Sequence, residues 1–227
     1  MIKGKKRYML LSYSLGVDIP LYPGTPPVKI QPVKEISNGD SCNTYKVEMS
    51  NHAGTHIDAP KHFYKDGKAI DDFEITSFVF KNPLIIDCQK KDEEAILLED
   101  IENISINFSP DIVLLKTGFS KYRHNDHEKY CYDNPYLSPA GARRLKKVFP
   151  SMRALAVDCI SVANHKRKEH GRETHMVLLG EEGKGVFIIE DIFLPDEDIS
   201  FDEIIIAPLF LKECDSAPCT ILGIFYD

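Results

Sequence analysis

The chain has 227 residues, of which 43% are hydrophobic and 28% charged, and its formal net charge is -7. A chain of this length buries a core without disulfide or metal staples, and a single domain over 1–227 is expected. The acidic balance excludes electrostatic attraction to nucleic acid or an anionic membrane as a driving force, and no run approaches the ~18 apolar residues of a membrane helix.

At the N-terminus, Lys3, Lys5, Lys6 and Arg7 precede only a short apolar patch at 8–11. That is too little for a secretory leader, so a cytoplasmic protein is expected. The six cysteines, at 42, 88, 131, 159, 214 and 219, form no CxxC pair and read as reduced thiols. Apolar, β-rich runs recur at 8–11, 47–49, 84–86, 112–115, 155–157, 186–189, 204–209 and 221–225, with lengths that suit strands. The segment 22–27, Tyr-Pro-Gly-Thr-Pro-Pro, cannot be a central strand, because proline lacks the N–H a ladder needs.

Helices are fewer. One is expected over 95–101 and a short one over 173–179. The clearest starts at Ser138, a good N-cap, followed by Pro139 at the first helical position. Ala142, Leu145, Val148 and Phe149 then recur at helical spacing until Pro150. Segment 121–134 is polar and aromatic without clear periodicity and reads as a surface loop, and glycine-rich 180–185 as a flexible turn. Many strands with few helices, not in strict alternation, describe a mixed, β-rich α/β domain.

Residues 52–63 carry the chemistry. His52, His56, Asp58 and His62 fall within eleven residues. Imidazole and carboxylate together suit zinc, manganese or iron(II) rather than magnesium or calcium. On a helix Asp58 and His62 would lie away from the face of His52 and His56, and Pro60 would break it. In an extended chain all four point to one side, but a straight strand would hold His52 and His62 about 33 Å apart. The chain must bend, and Gly54 and Pro60 are suitable places. A strand end running into a tight loop around a cation is expected.

The run His52-Ala53-Gly54-Thr55-His56-Ile57-Asp58-Ala59-Pro60-Lys61-His62-Phe63 resembles the HxGTHxDxPxHF signature of the cyclase-like metal hydrolase family, which includes bacterial kynurenine formamidase and isatin hydrolase. Weaker similarities lie at Leu11-Ser12-Tyr13-Ser14-Leu15, Tyr22-Pro23-Gly24, Lys116-Thr117-Gly118 and Asp158-Cys159-Ile160-Ser161-Val162, and at His175 with Leu178-Leu179. The resemblance implies a single mixed, β-rich domain of the swivelling β/β/α type with few helices. It implies a first metal on His52, His56 and Asp58, with Asp58 bridging to a second metal completed by His175 and Glu190. His62 corresponds to the proton donor and acceptor, and Tyr22 to an aromatic substrate contact. Glu190 is preferred over Glu181 or Glu182 because it follows the apolar strand at 186–189, a stiffer platform than a glycine-rich turn. Position 163, where the family often has an acid, is Ala163 here.

The implied function is hydrolysis of a small amide by water activated on a divalent metal, and the implied cofactor is a pair of zinc ions, with manganese as the alternative. An arylformamidase, converting N-formylkynurenine to kynurenine and formate, is the leading expectation. Opening of a cyclic amide, a cyclase reaction, or metal binding without turnover are the alternatives. The resemblance implies a homodimer or homotetramer acting on a small-molecule amide, with no nucleic-acid or membrane partner. His124, His127, His165 and His170 sit in polar stretches and read as surface, and Cys214 and Cys219 as packed at strand ends.

Overall fold

Most of the apolar runs join one nine-stranded sheet in the computed structural model, which describes residues 4–102, 104, 106–180, 185–197 and 199–226. In chain order the strands are β1 (Lys6–Leu10), β2 (Lys29–Lys34), β3 (Thr44–Glu48), β4 (His56–Asp58), β5 (Val79–Phe80), β6 (Pro83–Asp87), β7 (Ala95–Ile96), β8 (Ile112–Lys116), β9 (Tyr136–Leu137), β10 (Ala154–Val157), β11 (Phe187–Glu190), β12 (Glu203–Pro208) and β13 (Ser216–Tyr226). The helices are α1 (Glu99–Glu102), α2 (His127–Tyr132), α3 (Pro139–Val148) and α4 (Lys168–Leu179). No described helix is long and apolar enough to cross a membrane. All six cysteines are free.

The sheet runs β5-β12-β13-β4-β11-β10-β8-β6, with β1 also on β13, while β2 pairs with β3 and β7 with β9 apart from it. Strands β6, β8, β10 and β11 are parallel, and the wing from β4 to β5 is antiparallel. This is the mixed, β-rich α/β architecture expected.

The parallel strands are apolar at nearly every position because both faces are covered. In β8, Val113 and Leu115 pack with Leu155, Val157 and Ile188 beneath Leu145 of α3 and Leu178 of α4. The alternate residues Ile112 and Leu114 join Ala154, Ala156 and Ile189 against Ile57, Phe78 and Ile204 of the other wing. Two cores thus lie on opposite faces of the same strands, selected by the period of two.

Helix α3 is as expected, with the Ser138 hydroxyl accepting the Gly141 N–H and Pro139 opening the first turn. Helix α4 starts five residues earlier than the 173–179 expected. Its first turn is polar and carries no apolar periodicity. Gly171 lies so close to the Ala163 loop that an added Cβ would come within 2.6 Å of the alanine Cβ. Glycine there lets α4 settle against the strand ends.

The structure corrects two expectations. Segment 95–101 is not one helix: Ala95 and Ile96 pair with Tyr136 and Leu137, and helix begins only at Glu99. The Asp100 carboxylate takes the Leu97 N–H at 2.7 Å, which caps the turn where helical periodicity would have continued. Segment 121–134 is not simply a surface loop. Asp126 caps α2 by accepting the Lys129 N–H, and Tyr130 and Arg123 are buried. The expected turn at 180–185 lies outside the described residues over 181–184.

Arg123 explains why this segment is pinned. Its guanidinium donates twice to Asp191, at 2.7 Å each, the Tyr130 hydroxyl donates a third bond at 2.7 Å, and the guanidinium stacks 3.7 Å from the Tyr13 ring. Asp191 adopts φ 56°, in the left-handed region, directly after Glu190. Breaking a buried pair strands its partner charge, so Arg123→Met is expected to lower unfolding free energy by about 3–5 kcal/mol in urea titrations. A loss under about 1 kcal/mol would contradict this anchoring role.

Candidate metal centre

Strand β4 delivers the motif. Gly54 at φ +65° turns the chain into β4, and its missing side chain leaves room for Leu15, whose Cδ2 would lie 2.7 Å from an added Cβ. After β4, Pro60 opens a short 3-10 turn that ends at His62. Both bends fall where sequence spacing required them. Within β4, Ile57 faces one core while His56 and Asp58 face the other way. On β11, Glu190 has the parity of Ile188 and lies opposite His56 in the antiparallel register. Helix α4 brings His175 to the same place, buried.

Backbone carbonyls aim two of the rings. His56 Nδ1 meets the Gly54 carbonyl at 2.8 Å, and His175 Nδ1 meets the Gly171 carbonyl at 2.7 Å. A carbonyl only accepts, so both Nδ1 atoms carry the hydrogen and both Nε2 atoms present lone pairs when the rings are neutral. His56 Nε2 lies 3.6 Å from Asp58 Oδ1 and 3.5 Å from Glu190 Oε2, and His175 Nε2 lies 3.6 Å from Glu190 Oε1. His52 Nδ1 lies 3.1 Å from Asp58 Oδ1.

Whether these residues suit a metal can be judged from Asp58. Both its carboxylate oxygens are buried and, among the described residues, neither has a hydrogen-bond partner, His52 Nδ1 approaching at 3.1 Å only as an ion-pair contact. A buried carboxylate left so is costly. Ligand atoms on tetrahedral bonds of about 2.0–2.1 Å stand about 3.3 Å apart, close to the separations seen here. The donor set of three imidazoles and two carboxylates suits zinc or manganese. The residues fit the group.

Charge around the centre is balanced by opposing pulls. Burial pushes the Asp58 pKa up, but the imidazoles of His56, His52 and His62 outweigh it and hold the group below the usual carboxylate range. Burial works against a charged His52, yet the carboxylates of Asp215 and Asp58 raise its pKa to about 10. Burial likewise opposes charge on His175 and Glu190, and their mutual attraction prevails, raising the histidine and lowering the glutamate. The carboxylates therefore demand positive charge, which a proton or a divalent ion can supply.

The structure brings all the sequence-expected residues to one cavity of about 730 Å³, including Tyr22 at its wall. Burial raises the Tyr22 hydroxyl to about 12. Ligand atoms of His52, His56 and Asp58 lie within 4.8 Å of one another, and so do those of Asp58, His62 and His175 and those of His52, His62 and Asp215. Glu190 Oε1 accepts from the Ser161 hydroxyl at 2.8 Å and the Val162 N–H at 2.9 Å, which fixes its orientation. The alternatives Glu181 and Glu182 lie outside the described residues. His165, expected at the surface, instead lines the cavity half-buried, with Nδ1 buried and without a hydrogen-bond partner among the described residues. Sequence reasoning missed Asp215, whose Oδ2 meets His62 Nδ1 at 2.7 Å and His52 Nε2 at 3.1 Å. It lies 153 residues from His62, and no local spacing marks it.

Residues 9–164 match the sequence profile of the family described as "Putative cyclase". The chain belongs to the cyclase family. Kynurenine formamidase from Bacillus cytotoxicus is 30% identical over 217 residues, covering 92% of each chain, and that from Bacillus mycoides is 31% identical over 209 residues at the same coverage. Among solved structures, isatin hydrolase A from Labrenzia aggregata superposes with a TM-score of 0.84 at 22% identity, over 98% of this chain and 94% of that one. A protein described as a predicted metal-dependent hydrolase from Bacillus stearothermophilus gives 0.75 at 23% identity, over 97% and 98%.

For this cyclase-family chain, zinc at about 100 times its dissociation constant is expected to stabilise the wild type by about 2.7 kcal/mol in urea unfolding. Asp58→Ala is expected to show no such gain and to lose its zinc on dialysis, as read by elemental analysis. Wild-type metal content in that variant would contradict the ligand assignment.

Proposed function

We propose that this chain is a metal-dependent amidohydrolase that removes the formyl group from an aryl formamide of the N-formylkynurenine type, with zinc or manganese on His52, His56, Asp58, His175 and Glu190. The observation that carries the reading is the buried Asp58 carboxylate, without a hydrogen-bond partner among the described residues, facing imidazole nitrogens of His52 and His56. The kynurenine formamidases at about 30% identity over 92% of both chains support the substrate class. The ion's contribution when bound is Lewis acidity, which activates water near neutral pH and polarises the carbonyl.

The chain's own residues do the rest. His62 borders the cavity, with Nδ1 held by Asp215 and Nε2 left over for proton transfer. A water attacking the formyl carbon gives its proton to His62 Nε2, and the C–N bond breaks as that proton passes to the departing aniline nitrogen, leaving the free amine and formic acid, which gives its proton to solvent as formate. An imidazole suits the task because one ring nitrogen can accept a proton and then give it up. Tyr22 and Phe63 supply aromatic walls to the cavity, and Phe63 also stacks on the His175 ring at 4.9 Å, stiffening it.

The test is turnover of N-formylkynurenine, with plain formanilides and cyclic imides alongside. His62→Ala is expected to retain metal and lose about 10²- to 10⁴-fold in kcat. Equal kcat in that variant and the wild type would overturn the role of His62. Turnover of the cyclic imides alone would overturn the formamide assignment.

A further inference from the structure

We infer that Asp215 is a positioning residue whose single carboxylate oxygen sets the ring orientation of His52 and His62 together, coupling metal ligation to proton transfer. This rests on the reading of His62 as the acid–base group. Asp215 stands immediately before β13, where Ser216 is the register partner of Asp58. Its backbone carbonyl accepts the Ala59 N–H at 2.8 Å. Its Oδ1 accepts from the Asn51 side-chain amide at 2.8 Å, and the Asn51 carbonyl in turn accepts from the Ser216 hydroxyl at 3.1 Å. The carboxylate is therefore braced on both sides before either histidine is considered.

The other oxygen, Oδ2, faces both rings, at 2.7 Å from His62 Nδ1 and 3.1 Å from His52 Nε2. The ring centroids are 4.3 Å apart, so one oxygen reaches both. An ionised carboxylate only accepts, so each of these nitrogens carries a hydrogen. When each ring is neutral, that leaves a lone pair on His52 Nδ1, the nitrogen facing Asp58, and on His62 Nε2. Without Asp215 either tautomer of either ring is open. A carboxylate behind a ligating histidine is a recognised way to orient the ring; here it serves a second histidine that would carry protons rather than metal. The 2.7 Å separation from His62 is a hydrogen-bond distance, shorter than the roughly 3.3 Å between two atoms bound to one ion at tetrahedral geometry. The separation from His62 therefore reads as a hydrogen bond rather than shared ligation, while the ligand atoms of Asp215, His52 and His62 also lie within 4.8 Å of one another.

Nitrogen-15 spectra of histidine-labelled, zinc-loaded protein read the tautomers directly, with no substrate present. His62 is expected to show a protonated Nδ1 and an unprotonated Nε2 at a pH where the ring is neutral. Asp215→Asn is expected to lose that fixed tautomer and to lower kcat about 100-fold, with KM within a factor of about three, and Asp215→Glu to restore part of it. An Nε2–H tautomer of His62 in the wild type would overturn the inference. So would loss of a bound zinc from Asp215→Asn with His62 unchanged, which would make Asp215 a ligand. Because the wild-type spectrum needs neither the variant nor turnover, a failure of the formamidase reading leaves this result separately legible.

Discussion

A buried, ionised carboxylate with no hydrogen bond among the described residues is the feature around which the centre is organised. Asp58 cannot turn outward, because β4 is flanked by β13 on one side and β11 on the other. It faces nitrogen atoms of His52 and His56, and positive charge placed beside it is what makes the burial tolerable. A protonated imidazole meets that demand in part. A divalent ion within reach of both oxygens meets it fully, which is the physical case for a metal.

The fold supplies stiffness at the points where this arrangement would otherwise relax. Glu190 comes from the end of a fully buried strand and is clamped by Ser161 and Val162. One residue later the chain enters the left-handed region at Asp191, and Arg123 with Tyr130 holds it there. His175 depends on the close approach of α4 that Gly171 permits. Strand ends, a helix and a bent segment, far apart in sequence, therefore share one cavity.

Much of this was legible in the sequence, and the boundary follows the range of the interactions. The bends at Gly54 and Pro60, the strand at Ile112 to Leu115 and the cap at Ser138 are local, and spacing or propensity reveals them. His175 and Glu190 were legible only through family resemblance, since nothing in their neighbourhood marks a ligand. The helix expected over 95–101 fails because Ala95 and Ile96 find a partner in β9, 41 residues on, which periodicity cannot see. Arg123 and Asp215 were passed over for the same reason. Each is an ordinary charged residue in a polar stretch until its partner, Asp191 or His62, is brought beside it.

The most direct measurement is anomalous X-ray scattering from crystals grown with zinc, recorded on either side of the zinc absorption edge. A peak is expected within about 2.0–2.2 Å of an Asp58 oxygen, among His52 and His56, with a second toward His175 and Glu190. Edge-dependent density elsewhere in the crystal, with none at Asp58, would contradict the assignment of this cluster as a metal centre.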